Sequence, residues 1–317
     1  MKTLKTLIIA ASLLMGVNVA MAQTIEEAQE KYTKAMELVK AQSFGEAAAL
    51  LEDAMNVGFD LGDEGLDIVK EIQKMLPKVY FYDGVNSLKQ SNFDGAIKQL
   101  TNACELGDLY GDITTARQAS RAISGTYQTM GAEAFNAKDY ETALESFSKG
   151  YEQDPTNIKL ALLTAKTYAE LGQLETAIEV YNGVIEAGES NSKFEAEAAE
   201  AQSDITTYVL VAASAAAETD NLEEVIRLSE LAPSSPEVAL MTLQVANNQK
   251  KYNVIIEKAD AAAELQSDDA VKSDIYYMLG VAYNNTGNFD KAIAALSKVT
   301  TGNNAAAAKS LIADLKK

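Results

Sequence analysis

Histidine is absent from the 317 residues, and cysteine occurs once. Without histidine the commonest general base and the commonest metal ligand are both missing, so a Ser-His-Asp site is excluded and an ordinary zinc site has no basis. A single cysteine, Cys104, cannot form an internal disulfide, and its place in a helical pattern after Ala103 reads as a small apolar residue. Proline is scarce, at four, and glycine modest, at 18, too few for a disordered chain. Basic residues are outnumbered 27 to 46, for a net charge of −19. Such a chain repels phosphate backbones and anionic lipid heads, which excludes nucleic acid as a partner class. No G-x-x-x-x-G-K-[ST] phosphate loop occurs.

Long apolar runs are also missing, apart from Leu7 to Val19. That run follows the basic Lys2 and Lys5 and precedes Ala20-Met21-Ala22, an A-x-A cleavage pattern. It is shorter than the roughly 20 residues that span a bilayer. Residues 1–22 therefore read as a cleaved signal peptide, with Gln23 the first mature residue and no membrane insertion after cleavage. No cysteine follows the run, so a lipid anchor of the bacterial lipoprotein type is not expected.

What is present is a repeat. NFDKAIAAL (288–296) has relatives at 43–51, 92–100, 139–147, 173–181, 221–229 and 251–259. Each carries an aromatic or Leu second and a small or β-branched residue fifth. Twelve residues before each fifth position stands another apolar, mostly small residue. The pairs are Ala35/Ala47, Gly84/Ala96, Gly131/Ala143, Ala165/Ala177, Ala213/Val225, Leu243/Ile255 and Gly280/Ala292. Two antiparallel helices joined by a short turn approach closely only where side chains are small, and flanking aromatics fill the space beside the crossing. Gly172 and Gly287 fall where the first helix of a pair must end.

The residues Tyr276, Leu279, Gly280, Tyr283, Gly287, Phe289, Ala292 and Leu296 resemble the tetratricopeptide repeat pattern, as do 127–187, with Pro155 at a repeat-ending position. The intervals Gly131 to Ala165 and Ala143 to Ala177 are each 34 residues, the length of that repeat. The resemblance is most regular over 127–187 and 274–300 and looser over 28–57, 80–105 and 205–262. It implies an all-α, right-handed solenoid of six or seven helix hairpins over 23–302. Residues 303–317 read as a C-terminal capping helix.

Three intervals between fifth positions, ending at Ala96, Ala143 and Val225, exceed 34 by 13 to 15 residues. That is close to four helical turns, which keeps the buried stripe nearly in register. Residues 112–137 and 193–217 are predicted to be overlong first helices. In the first long interval Pro77 is expected to divide the segment, with 64–76 a separate helix and Pro77 near the start of the next.

Asp60 to Glu71 mimics a calcium loop, but its third position is Gly62 and its eighth Asp67, so the ligand set is incomplete. An inter-repeat turn with Asp63 as N-cap accounts for it. No metal or cofactor is expected. Some members of the resembled family clamp a carboxylate with an Asn directly after the small first-helix residue. Here those positions include Met36, Val85, Ala132 and Lys166, and none of the seven is Asn. Positions three before and four after the same small residue are mostly apolar, and Met36 and Val85, directly after it, are apolar too. The candidate groove residues are Tyr32, Met36, Val39, Phe81, Val85, Leu88, Phe135, Leu162 and Tyr277, which the resemblance places on the concave face. An exposed apolar strip there would bind a peptide or helix; the competing reading is that these side chains pack against the overlong helices.

Nothing singles out a catalytic pair: Glu223 and Glu224 lie on an amphipathic segment where solvation explains them. The expected function is therefore a non-catalytic scaffold or adaptor of the periplasm or envelope of a Gram-negative bacterium, with a protein or peptide partner. The alternatives are a holdase-like chaperone for exported polypeptides and an accessory subunit of an envelope enzyme or transport complex.

Overall fold

The computed structural model describes residues 24–317, and the predicted signal peptide lies outside the described residues. Among the described residues there are fifteen α-helices, two short 3-10 turns and no strand. The chain divides into two compact units, one ending at Thr126 and one beginning at Tyr127.

The first unit contains α1 (Ile25–Lys40), α2 (Phe44–Asp60), α3 (Leu66–Lys89), α4 (Phe93–Tyr110) and the first part of α5 (Ile113–Asn136). The second contains the rest of α5, then α6 (Tyr140–Gln153), α7 (Ile158–Glu170), α8 (Leu174–Ser190), α9 (Glu195–Glu218) and α10 (Leu222–Leu231). It continues through α11 (Pro236–Asn248), α12 (Tyr252–Leu265), α13 (Asp269–Asn285), α14 (Phe289–Ser297) and α15 (Ala305–Leu315). Helices α1 to α14 form seven hairpins, each made of an odd-numbered first helix and the second helix after it. All fourteen crossing residues read from the repeat are buried. Large side chains beside them, among them Leu51, Leu100, Phe147 and Tyr181, are fully buried too. Each such burial stabilises by about 1.5–3 kcal/mol.

Every hairpin turn has the same backbone. One residue, five before the small second-helix residue, takes positive φ: Gln42, Ser91, Lys138, Gly172, Asp220, Lys250 and Gly287. The next residue's N–H then reaches back to a carbonyl five residues earlier, as Ser43 to Leu38, Asn92 to Ser87 and Gln173 to Tyr168. This satisfies carbonyls left over at the end of the first helix. Three second helices start on side-chain caps: Asn92, Asp139 and Asn221 accept the N–H of Gly95, Thr142 and Glu224 at 3.1–3.2 Å.

The three long intervals become three helices of 24 residues, α3, α5 and α9. The second helices before them are long as well, at 17, 18 and 17 residues. Pro77 does not divide α3, which runs unbroken from Leu66 to Lys89. Proline there removes one backbone bond, but Leu76, Pro77, Val79 and Tyr80 are all buried. Burial of that stretch offsets the lost bond. Nor does Asp63 cap α3: it lies in the 3-10 turn Gly62–Gly65, and Gly65 is the N-cap.

Each lengthened junction has its own glycine contact. Gly58, Gly107 and Gly188 stand eleven residues after Ala47, Ala96 and Ala177, where the unextended repeats have Asp154, Pro236, Gln266 and Asn303. A Cβ at Gly58 would meet Val69 Cγ2 at 2.7 Å, one at Gly107 would meet Ala116 Cβ at 3.0 Å, and one at Gly188 would meet Ala198 Cβ at 2.4 Å. Glycine lets the second helix touch the start of the long helix after it.

The last helix is α15, which covers Leu296 and Val299 with Ala308, Leu311 and Ile312. The connection before it is tied to α13. The Ser273 hydroxyl accepts the N–H of Thr300 and of Thr301, both at 3.3 Å, and Asn304 donates to Asp274 at 2.9 Å. No helix among the described residues is long and apolar enough to cross a membrane.

Candidate functional site

In the first unit the first helices α1 and α3 are neighbours, and the apolar strip lies along them. Tyr32, Met36 and Val39 on α1 and Phe81, Val85 and Leu88 on α3 are all half-buried, neither core nor free. The α3 side is anchored to the α1–α2 turn. Asn86 donates to the Gln42 carbonyl at 3.4 Å, and Asp83 accepts the Gly45 N–H. Burial raises the Asp83 carboxyl above its ordinary value, and hydrogen bonds from Gln99 and Gly45 oppose that rise.

Aromatic rings define the centre of this strip. Phe81 meets Tyr82 edge-on at 5.7 Å, and Tyr82 stacks on Phe44 at 5.3 Å. Tyr82 is 51% exposed. Beside Phe81 opens a cavity of about 340 Å³, lined further by Lys78, Tyr82, Asp112, Thr114, Thr115 and Gln118. Asp112 caps α5 by accepting the Thr115 N–H at 3.2 Å and the Thr115 hydroxyl at 2.7 Å, with Lys78 Nζ at 3.8 Å. The cavity can take an apolar side chain against Phe81 and meet main-chain groups with Gln118, Thr114 and Lys78. Tyr82 and Phe44 were not in the expected set. Their signal was available, because Phe44 is the aromatic second position of its repeat and Tyr82 adjoins Phe81.

The three expected residues of the second unit do not form such a strip. Leu162 is 2% exposed and sits in the main hydrophobic core, so it lines no groove. Its helix α7 presses that position inward beside Ala165. Phe135 packs edge-on to Tyr140 at 5.3 Å and against the Phe147 cluster. Tyr277 packs on the Leu296 cluster that α15 covers.

Between α7 and α9 the second unit carries a polar network instead. Lys166 bridges Glu200 at 2.5 Å and Asp204 at 3.3 Å, so the one basic residue after a crossing position is paired with carboxylates of α9. Glu170 accepts from Tyr208 at 2.7 Å and Tyr140 at 3.1 Å, and Asp204 accepts from Tyr181 at 3.3 Å. Burial, then the adjoining carboxylates, pushes the Tyr181 and Tyr208 phenols far up, so both stay neutral donors. Among the described residues no group of three or more carboxylates or thiols is placed to hold a metal ion. Cys104 is half-buried, and burial, then Asp108 and Glu105, pushes its thiol up, which makes it a poor nucleophile.

Comparison with known proteins matches two segments to family models. Residues 134–202 and 273–305 each match a model described as tetratricopeptide repeat. Among solved structures, "Crystal structure of MamA protein" is 18% identical, covering 56% of this chain and 89% of that one, at TM-score 0.27. "Crystal structure of YrrB: a TPR protein with an unusual peptide-binding site" is 16% identical, covering 55% and 83%, at 0.26. "TPR2AB-domain:pHSP90-complex of yeast Sti1" is 13% identical, covering 92% and 99%, at 0.31. These scores are low, and the fold rests on the hairpins themselves and on the matched segments. Residues 134–202 and 273–305, which hold helices α6 to α8, most of α13 and all of α14, are tetratricopeptide repeats.

Proposed function

We propose that this chain is a non-catalytic scaffold, exported to the periplasm or cell surface of a Gram-negative bacterium, that binds a protein or peptide along α1 and α3. The observation carrying this reading is Phe81, a half-buried aromatic beside an open cavity, continued by Tyr82, Tyr32, Met36, Val85 and Leu88. A surface strip of rings and aliphatic residues, held on rigid helices, is the usual form of a peptide groove. Export is supported by Lys2, Lys5, the apolar run and Ala20-Met21-Ala22.

Affinity capture from an envelope extract tests the reading. One stoichiometric protein should be retained, and Phe81→Ala and Tyr32→Ala should each weaken retention by about 1–2 kcal/mol while circular dichroism stays unchanged. Glu179→Lys, on the exposed face of α8, should leave it intact. Retention indifferent to both aromatic changes would remove the strip from consideration, and capture of many unfolded clients would favour a holdase.

A further inference from the structure

A second groove in the first unit lies apart from the strip on α1 and α3. It runs between the second helices α2 and α4 with α3 as its floor, and encloses about 330 Å³. Met55 from α2 and Leu76 and Tyr80 from α3 form the base. Along α4 the lining residues are Asn102, Glu105, Leu106 and Leu109, spaced over two helical turns, or about 10 Å. Leu109 is 71% exposed although it faces an apolar cavity. An aliphatic side chain left uncovered beside an unfilled apolar base marks a surface that gains by being covered. The volume is at the small end of ligand pockets, which span about 300–1,000 Å³. It suits one or two anchoring side chains of a larger partner.

The rim carries one sign of charge. Glu52 and Glu105 line the groove, and among its described lining residues none is cationic. Glu52 is held in place, since the Tyr80 hydroxyl donates to its Oε1 at 2.5 Å. Its second oxygen remains to meet a partner. The negative potential reaches nearby groups: with burial as the larger cause, Glu52 raises Tyr80 and Tyr110, while Asp108 and Glu105 raise Cys104. The whole chain, at −19, reinforces this field and disfavours an anionic lipid surface.

We propose that the groove between α2 and α4 docks a basic amphipathic helix of another protein, with a large aliphatic or aromatic anchor set over Met55, Leu76 and Leu109 and flanking Lys or Arg residues against Glu52 and Glu105. Anchors recurring at three- and four-residue spacing match the two-turn lining of α4. The carboxylates select the sign of the partner and speed its approach, and the apolar base supplies the affinity.

Titration calorimetry of the full chain with two synthetic helical peptides tests this. Both present Leu at three- and four-residue spacing over about 14 residues, or four turns; one carries Lys elsewhere, the other Glu. The Lys peptide should bind at least tenfold tighter than the Glu peptide, and raised salt should narrow the difference. Leu109→Lys should weaken the Lys peptide at least tenfold, and Glu105→Lys should shift preference toward the Glu peptide; both side chains are exposed, so the fold is retained. Phe81→Ala should leave this binding unchanged. Equal binding of both peptides, or indifference to Leu109→Lys and Glu105→Lys, overturns the proposal. Loss on Phe81→Ala with no loss on Leu109→Lys overturns it too, while leaving the α1–α3 reading in place. A dimer in solution that Leu109→Lys converts to monomer gives the groove to a second copy. That result overturns a separate partner.

Discussion

Gly131 on α5 lies directly beneath the ring of Phe147 on α6: a Cβ there would stand 2.4 Å from Phe147 Cε1. The same exchange of volume recurs sixteen residues apart in other hairpins. Gly84 faces Leu100 and Gly280 faces Leu296, with hypothetical Cβ contacts of 2.6 and 2.5 Å. Where the first helix carries Leu243 instead, the residue sixteen later is Ala259, and both are fully buried. Six of the seven crossings thus hold one large side chain, supplied by either helix, and the seventh pairs Ala213 with Ser229. Gly280→Leu should overpack its crossing and cost about 1–3 kcal/mol, read as a lower urea midpoint. The control is Gly183→Leu, on an exposed helical position with nothing within 4 Å. Gly302 would be a poor control, because its φ of 82° strains any side chain. Equal midpoints for the two variants would contradict the crossing.

The seven identical turns differ only in who pays the backbone strain. Lys138 and Lys250 take φ of 62° and 54°, a region glycine enters freely and other residues enter at roughly 1–2 kcal/mol. Lys138→Gly should therefore raise the thermal midpoint or leave it level, the gain in strain being partly offset by the flexibility glycine adds to the unfolded chain. Gly172→Ala, at φ 74°, should lower it. A large drop for Lys138→Gly would mean that the lysine side chain itself holds the turn.

At the junction of α8 and α9, Gly188→Ala should destabilise, since the new methyl would meet Ala198 Cβ at 2.4 Å. Ala198→Gly in the same chain should restore part of the loss, giving a coupling energy of about 0.5–3 kcal/mol in a double-mutant cycle. Additive effects would show that the two helices do not touch there.

Asp83 gives a dependence on pH. Burial raises its carboxyl above the ordinary 3.8, so between that value and the raised one the folded chain holds more proton than the unfolded chain. Stability from this group is therefore greatest below 3.8, falls as pH rises through that window, and is level above it. Asp83→Asn should gain on the parent at pH 7 and show no such gain at pH 3, in paired urea titrations. The same difference at both values would assign the effect to packing.

Processing is tested by N-terminal sequencing. The mature chain should begin at Gln23 and be recovered from the exported fraction. Met1 intact on cytoplasmic protein would defeat both the leader and the proposed location.

The helix pairs were legible because the crossing constraint is local and repeats: Ala35/Ala47 through Gly280/Ala292 follow from small residues twelve apart, and all are buried. The turns were legible only at Gly172 and Gly287. Elsewhere the left-handed residue is Gln, Ser, Lys or Asp, forced by the geometry of closing two packed helices rather than chosen by propensity. The break expected at Pro77 failed for a related reason. A proline signal acts on a single bond, whereas the burial of Leu76, Val79 and Tyr80 acts over the whole turn and wins. The glycines eleven residues past Ala47, Ala96 and Ala177 were visible, but their meaning required a neighbour, the start of the next long helix. The binding strip shows the same limit most plainly. Phe81 and Leu162 hold the same place relative to Gly84 and Ala165, yet one lines an open cavity and the other is core. Periodicity reports which face of a helix a side chain occupies; whether another helix covers that face depends on what packs there.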